Sequence, residues 1–255
     1  MSAWEARRDA LPTVSLAELE AEAALLTRVD RKYIVSPALW AAAMGAVDGV
    51  RALEIDGSRA FAYASVYYDT PGLDSYRAAA RRRPARYKVR TREYLDTGGR
   101  AIEVKLRSVR GETVKHREFI ADEVARGRRL DGTARAFVAT FPEVAGAVDA
   151  LTPVLETRYA RSTLVADGAR VTIDDGVTAT DVEGAVAGFG AALIVETKST
   201  LRAGAVDRAL WARGIRPARV SKYCTTLAAL QPELPSNRWN RTLRRHLTTD
   251  PALAA

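Results

Sequence analysis

The strongest constraint on the fold of this 255-residue chain is a set of three segments in which polar and apolar residues alternate. They are RYKVRTREYL from residue 86, RAIEVKLRSV from residue 100 and GETVKHREFI from residue 111, and Thr97-Gly98-Gly99 lies between the first two. Alternation with a period of two is typical of half-buried strands, and a glycine-containing turn joins consecutive strands into a hairpin. The three segments therefore predict a three-stranded antiparallel meander.

The rest of the chain mixes further strand patterns with helix patterns. The strand-like segments are RVDRKYIV (28–35), RALEI (51–55), FAYASVYYDT (61–70), VLETRYARSTLVA (154–166), ARVTIDDGV (169–177), TATDVEG (178–184) and AALIVETKS (191–199). Helices are predicted from Ser15 to about Leu26, from Ser36-Pro37 to near Gly45, in GLDSYRAAARR before Pro84, within 121–150, over Ala205 to Ala212 and from about Cys224 to Leu230. This pattern predicts an α+β fold, a closed or nearly closed antiparallel β-barrel of about eight strands with helices packed outside.

The domain organisation predicted from the sequence is simple. We find no low-complexity linker and no repeat of fixed period, which favours one domain over two. The predicted boundaries are an N-terminal tail at 1–14, the domain at 15–232 and a basic C-terminal tail at 233–255. The arginines around Trp239 in this last segment are interpreted as a solvated chain end.

Composition narrows the classes of partner and of site. The chain has 39 basic and 31 acidic residues and a net charge of +8, which favours an anionic partner such as nucleic acid, phosphate chains, nucleotides or a membrane surface. Cys224 is the only cysteine, which excludes an internal disulfide framework and a cysteine-cluster metal site. No segment approaches the roughly 18 apolar residues of a membrane span, and the start MSAWEARRDA has no apolar signal core, so we expect a cytoplasmic protein.

The predicted strands place charged side chains on one face, because residues two apart on a strand point the same way. The groups that share a face are Lys88 with Arg90 and Arg92, Glu103 with Lys105 and Arg107, Lys115 with Arg117, and Glu196 with Lys198. A sheet face in water shows such alternation routinely, so a solvated surface is one interpretation. Like charges on directly opposed strand positions are destabilising by up to about 1 kcal/mol per pair, however, and a bound anion would remove that cost. In a closed sheet this face would line a tunnel that attracts polyanions, and its carboxylates would hold Mg²⁺ or Mn²⁺.

Nine short segments carry a resemblance to a known family. In chain order they are RKYIV (31–35), SVYYDTP (65–71), YKVRTREY (87–94), IEVKLR (102–107), VKHR (114–117), RYAR (158–161), RVTIDD (170–175), VETKS (195–199) and SKY (221–223). Because these segments follow one another in the order found in that family, the chain resembles the VTC domain, the polyphosphate polymerase domain of the triphosphate tunnel metalloenzyme (CYTH-like) superfamily.

The resemblance implies a basic tunnel in which the γ-phosphoryl group of ATP is transferred to a growing polyphosphate chain. By position it implies phosphate contacts from Lys32, Arg90, Arg92, Lys105, Lys115, Arg161, Lys198, Lys222 and Ser221. Arg90, Arg92, Lys105 and Lys198 are the catalytic candidates among them, and Lys88 and Arg117 join the phosphate-binding candidates because they share the charged faces. The implied cofactor is Mn²⁺ or Mg²⁺, with Glu196 as the main ligand and Glu103 as a second carboxylate.

One departure from the superfamily pattern leaves alternatives open. Hydrolytic members carry E-x-E-x-K on the first strand, whereas residues 28–32 here read RVDRK. Fewer carboxylates mean less activation of water, which favours a polymerase or a binding module over a metal-dependent triphosphatase. Residues 77–92 hold eight cations and no acid, but their second half is strand-like and we find no RRM or C₂H₂ pattern, so nucleic acid is the less favoured partner. Asp174 and Asp175 are compatible with a metal site or with a strand-ending turn before Gly176.

Overall fold

The computed structural model describes residues 1–22, 29–120, 129–130, 132–199 and 202–249. The predicted helical residues at 23–26 and 121–128 lie outside this described part. The α-helices are α1 (Ala3–Asp9), α2 (Leu16–Glu22), α3 (Pro37–Met44), α4 (Asp74–Ala80), α5 (Gly132–Ala139), α6 (Pro142–Ala145), α7 (Ala205–Ala212), α8 (Lys222–Leu230) and α9 (Asn240–His246), with a 3-10 turn at Val148–Ala150. The strands are β1 (Thr13–Val14), β2 (Val29–Val35), β3 (Arg51–Leu53), β4 (Phe61–Asp69), β5 (Arg86–Tyr94), β6 (Arg100–Arg107), β7 (Thr113–Ile120), β8 (Thr152–Ala166), β9 (Ala169–Asp181), β10 (Val186–Gly188), β11 (Leu193–Ser199) and β12 (Thr248–Thr249).

The predicted α+β fold class, built mainly on antiparallel strands, is confirmed. Eight of the twelve strands in the described ranges are seven residues or longer, in agreement with the predicted number. The chain divides into two compact units, each assembled from separate segments. Unit 1 comprises Met1–Phe61, Tyr159–Val177 and Phe189–Val220, and unit 2 comprises Ala62–Arg158, Thr178–Gly188 and Ser221–Ala255. The domain boundaries expected from the sequence stay a prediction.

Unit 1 is built around an antiparallel arrangement in which β11 lies between β2 and β9. Alternate residues of these strands, among them Tyr33, Ile173 and Val195, are buried. They pack against helices α1, α3 and α7, which contribute Trp4, Trp40 and Leu210 to the same core. The residues that alternate with these buried ones along the three strands lie on the opposite face, and they are mostly polar.

Unit 2 contains the predicted meander, since β5 pairs with β6 and β6 with β7, both antiparallel. Val89, Ile102 and Val104 on its apolar face are at most 1% exposed. They form a core with residues of α5 and α6, including Val138 and Val144. The helices thus cover one face of the meander and leave the charged face uncovered by this core.

A second core of unit 2 fixes the C-terminal segment. Trp239 is 3% exposed and packs against Tyr76 of α4, with ring centroids 5.7 Å apart. Leu227 of α8 belongs to the same core. The interpretation of this segment as a solvated end is therefore wrong for Trp239, because an aromatic side chain among charged residues was taken for a surface residue.

Three element boundaries differ from the sequence prediction. Asp175-Gly176 does not end a strand: β9 continues from Ala169 to Asp181, with Gly176 at φ +58°, a value that glycine adopts without steric cost. Helix α4 ends at Ala80 and the chain reverses at Arg82, with φ +56°, before Pro84 is reached. Helix α8 begins at Lys222, earlier than predicted, because Ser221 is its N-cap.

Candidate functional site

The charged face of the meander in unit 2 brings together most of the predicted phosphate-binding residues. We call it the cationic face, and it consists of Lys88, Arg90, Arg92, Glu103, Lys105, Lys115 and Arg117. The strand register places Lys88 opposite Lys105, and Lys105 opposite Lys115. Six cations thus share this face with one carboxylate, which confirms the charge imbalance expected from the sequence.

Glu103 lies at the centre of the cationic face. Its side chain is 2% exposed and accepts hydrogen bonds on Oε2 from Arg90 Nε at 2.7 Å and Arg90 Nη2 at 2.5 Å. Its Oε1 accepts from Lys115 Nζ at 3.3 Å and lies 3.8 Å from Arg92 Nη1. One carboxylate therefore holds three cations in fixed positions.

These contacts control protonation within the face. Burial raises the pKa of Glu103, but the charges of Arg90, Arg92 and Lys115 outweigh it and hold this pKa well below its usual range. Burial and the neighbouring arginines lower the pKa of Lys115, although Glu103 opposes this shift. Glu103 is therefore ionised at neutral pH, and the excess positive charge around it remains available to an anion.

Hydroxyl groups contact two cations of the face, Lys88 and Arg90. Lys88 Nζ donates to Ser221 Oγ at 2.7 Å, and Ser221 Oγ also accepts from the backbone N–H of Cys224 at 3.2 Å. Arg90 Nη1 donates to the Tyr67 hydroxyl at 3.0 Å. Ser221 therefore contacts Lys88 while capping α8, and Lys222 is the half-buried first residue of that helix.

The polar face of β2, β11 and β9 in unit 1 carries the second group of predicted residues. We call it the Glu196 face, and it consists of Asp30, Lys32, Arg161, Arg170, Thr172, Asp174, Glu196 and Lys198. The register places Glu196 directly opposite Lys32 on β2 and Thr172 on β9. Glu196 Oε2 lies 3.4 Å from Lys32 Nζ, and Oε1 accepts a hydrogen bond from Lys198 Nζ. Burial lowers the pKa of Lys198, with Glu196 and Asp30 acting in the opposite direction.

Arg161 and Asp174 form a bidentate pair on the same face. Arg161 Nε donates to Asp174 Oδ1 at 2.6 Å, and Nη2 donates to Oδ2 at 2.9 Å. Burial lowers the pKa of Arg161, but Asp174 raises it well above its usual value. Sequence reasoning treated Asp174 as a metal ligand or a turn residue and missed this pairing. The two-residue spacing of Arg170, Thr172 and Asp174 was the signal that placed all three on the face.

The carboxylates of the Glu196 face decide whether Mg²⁺ or Mn²⁺ fits this site. The described ranges contain no group of three or more His, Cys, Asp or Glu side chains placed to hold a metal ion. Glu196 is 17% exposed and offers carboxylate oxygens, which both ions prefer. Mg²⁺ is commonly held by one or two carboxylates together with substrate phosphates. Glu196 therefore offers oxygens of the kind that such an ion prefers, and Lys32 and Lys198 contact both of them.

The predicted site residues divide between the two units. Unit 2 holds Lys88, Arg90, Arg92, Glu103, Lys105, Lys115, Arg117, Ser221 and Lys222, and unit 1 holds Lys32, Arg161, Glu196 and Lys198. Within each unit the strand register brings its members onto one face. Arg28, the first residue of the altered E-x-E-x-K pattern, lies outside the described residues.

Comparisons with solved structures give the fold. A "putative adenylyl cyclase" from Hippeastrum, described as having a dominant triphosphatase activity, is 15% identical, with a TM-score of 0.52, 78% of this chain covered and 94% of that one. A "putative adenylate cyclase" from Bacillus halodurans is 11% identical, with a TM-score of 0.48 and coverages of 76% and 94%. A protein of the same description from Vibrio parahaemolyticus is 12% identical, with a TM-score of 0.45 and coverages of 78% and 97%. The likeness to the Hippeastrum protein shows a shared fold.

A comparison with protein-family models identifies the family of this chain. No curated protein matches the chain. In the described part of the chain, none of the helices combines the length and the apolar character needed to cross a membrane. The model of the VTC domain matches residues 27–231, which include both the cationic face and the Glu196 face. The chain therefore belongs to the VTC domain family.

Proposed function

We propose that this VTC domain is a metal-dependent polyphosphate polymerase that uses ATP. The terminal oxygen of a polyphosphate chain attacks the γ-phosphorus of ATP, a new P–O bond forms, the bond to the bridging oxygen of ADP breaks, and ADP leaves. Family membership supports a metal-dependent function on triphosphate or polyphosphate. The observation that carries the proposal is the register of β5, β6 and β7, which collects six cations around one carboxylate.

The cationic face supplies what phosphoryl transfer requires from a protein, which is positioning and charge neutralisation. Arg90 and Arg92 are held by Glu103, so their guanidinium groups are oriented before a ligand binds. Lys88, Lys105 and Lys115 lie across three adjacent strands and neutralise successive phosphate oxygens. Lys198 is proposed to act in the same way on the Glu196 face. No protein nucleophile is required.

Glu196 is the proposed ligand of Mn²⁺ or Mg²⁺. The metal, when bound, would neutralise charge on the phosphate oxygens. Glu103 is the weaker candidate, because its side chain is 2% exposed, against 17% for Glu196. Lys32 and Lys198 contact the two oxygens of Glu196 and are proposed to neutralise phosphate oxygens beside the metal.

Two other functions remain as alternatives. The triphosphatase activity described for the Hippeastrum protein favours hydrolysis of the terminal phosphate. A hydrolase needs groups that activate water, and on the Glu196 face both oxygens of Asp174 are engaged by Arg161. A module that binds polyphosphate or a nucleotide without turnover is the second alternative.

Product analysis tests the proposal. The purified protein is incubated with ATP and Mn²⁺ or Mg²⁺, and ADP, free phosphate and acid-labile polymer are measured together. We expect ADP to be matched by polymer, and we expect Glu196→Gln to abolish turnover while the exposed control Glu183→Gln retains it. Free phosphate without polymer would identify a hydrolase, and absence of every product would leave a binding module as the better account.

A further inference from the structure

On the cationic face, the row of positively charged side chains continues along β5 and β6 beyond the pair Lys88 and Lys105. Arg86 lies two residues before Lys88 on β5, and the register places it directly opposite Arg107 on β6. Both side chains therefore point to the same face as Lys88 and Lys105, about 7 Å further along the strands. Arg107 is exposed and Arg86 is half-buried.

A third arginine reaches this place from the C-terminal segment. Arg238 Nη1 donates to the carbonyl oxygen of Ala79, near the end of α4, and the adjacent Trp239 is buried in the unit 2 core. Arg86 Nη1 donates to the carbonyl oxygen of Arg83, just beyond the same helix. Burial lowers the pKa of Arg86, and the charges of Arg107 and Arg238 lower it further. These two backbone hydrogen bonds place Arg86 and Arg238 at the end of α4, and the strand register places Arg107 opposite Arg86.

No carboxylate of the described residues forms an ion pair with Arg86 or Arg107. Around Glu103 the structure offsets a similar concentration of cations with a buried acid. Like charges on opposed strand positions are destabilising, and a bound anion would relieve that cost. Guanidinium groups bind phosphate through paired hydrogen bonds, which makes arginine suited to a phosphate site.

We propose that Arg86, Arg107 and Arg238 form an additional phosphate-binding site, which holds a polyphosphate chain where it extends beyond the phosphates bound on the cationic face. This inference rests on the proposed function. It predicts that the protein distinguishes a long phosphate chain from triphosphate by this site.

A phosphate chain fits the site better than nucleic acid does. Binding of single-stranded nucleic acid combines a basic groove with exposed aromatic rings on which bases stack. Trp239 is 3% exposed, and Tyr87 belongs to the opposite, apolar face of the meander. Three arginines without an exposed ring beside them favour a ligand that is all phosphate.

The test compares the affinity for tripolyphosphate and for a long linear polyphosphate by calorimetry. The variant is Arg107→Gln with Arg238→Gln, and the control is Arg7→Gln on α1, an exposed arginine in unit 1. We expect the double variant to bind long polyphosphate at least about tenfold more weakly, as expected for the loss of charge-assisted hydrogen bonds, and to bind tripolyphosphate as the wild type does. We also expect a smaller dependence of its affinity for long polyphosphate on salt, which a purely structural role would not produce. The control should match the wild type with both ligands.

Three results would overturn the inference. They are unchanged binding of long polyphosphate, an equal loss of affinity for both ligands, and a loss of binding to single-stranded RNA without loss of binding to polyphosphate. If the wild type binds neither tripolyphosphate nor long polyphosphate, the proposed function fails as well. If only the double variant behaves unexpectedly while Arg90→Gln weakens both ligands, this inference alone fails.

Discussion

Glu103 shows how one residue sets the properties of a surface. A buried carboxylate among three cations is a stable arrangement only while every partner is present, because removing one partner leaves buried charges uncompensated. Its neighbours Arg90, Arg92 and Lys115 keep the pKa of Glu103 well below the usual value of 4.5. The same contacts keep the three cations in fixed positions in the absence of a ligand.

Glu103→Gln should destabilise the protein at neutral pH. We expect a loss of about 3 kcal/mol in the free energy of unfolding, because three cations lose their counter-charge. Since the pKa of Glu103 is lower in the folded than in the unfolded state, the stability it contributes is present above about pH 4.5 and is lost as the pH falls below that value. Urea unfolding from pH 7 to pH 3 should therefore show the wild type approaching the variant at low pH.

A second measurement on Glu103→Gln separates its possible roles. If Glu103 orients the cations and does not bind the metal, the folded variant binds tripolyphosphate more weakly than the wild type and to the same extent with and without Mn²⁺, since Arg90, Arg92 and Lys115 are no longer held in place. A constant difference in stability across the pH range, or weaker binding in the presence of Mn²⁺ alone, would contradict this account.

For individual residues, the sequence predicts which side chains share a face of the sheet but not which of them pair with each other. Alternation placed Glu103 and Arg90 on a common face, and Glu196 and Lys198 likewise. The pairing of Arg161 with Asp174 was not predictable, because it depends on how β8 and β9 are aligned and on which partner each long side chain reaches. Lys88 and Ser221 are 133 positions apart in sequence, and nothing local to either indicates their contact.

The meander β5–β7 is the element that both buries a core and presents the cations. Its two faces are occupied by alternate residues, so a shift of one position in register would exchange them. Burial of Val89, Ile102 and Val104 against α5 and α6 therefore fixes the register, and the register fixes where Lys88, Lys105 and Lys115 lie. The apolar core and the charged face are two consequences of one pattern.

Ile102→Ala should destabilise the meander by about 3 kcal/mol, since Ile102 is 0% exposed and the change leaves a cavity. Val114→Ala on the neighbouring strand removes a side chain that is 51% exposed and should change the free energy of unfolding by about 0.5 kcal/mol or less. Chemical denaturation of the two variants measures both effects. Similar losses for both substitutions would contradict the assignment of Ile102 to the buried core.

Element prediction from sequence succeeded where a periodic pattern and a turn signal agreed. The three strands of the meander and the turn at Asp167-Gly168 are examples. It failed at Asp175-Gly176, because a glycine with positive φ was accommodated inside β9 rather than ending it. It also placed the start of α8 too late, since Ser221 was considered for its hydroxyl and not as a helix cap.

The whole molecule carries a net charge of +8, and the structure concentrates that charge unevenly. Each unit has its own apolar core, and each presents a polar face made from the alternate residues of the same strands. The composition predicted an anionic partner, but it could not predict that Lys32 and Lys198 contact the two oxygens of Glu196, because those contacts depend on the pairing of β2 with β11 and on the reach of each side chain. The burial of Trp239 was also beyond prediction, since it depends on the distant Tyr76.

The most direct test of the central claim is the affinity for tripolyphosphate of the wild type and of Arg90→Gln with Arg92→Gln, measured by calorimetry at low and at high salt. The account predicts that the double variant binds at least about tenfold more weakly and that higher salt weakens the wild type more than the variant, because charged contacts to phosphate are lost. Arg7→Gln, which removes one positive charge from an exposed position outside the cationic face, should bind as the wild type does. Equal affinity of wild type and double variant would contradict the claim that the cationic face binds the phosphate chain.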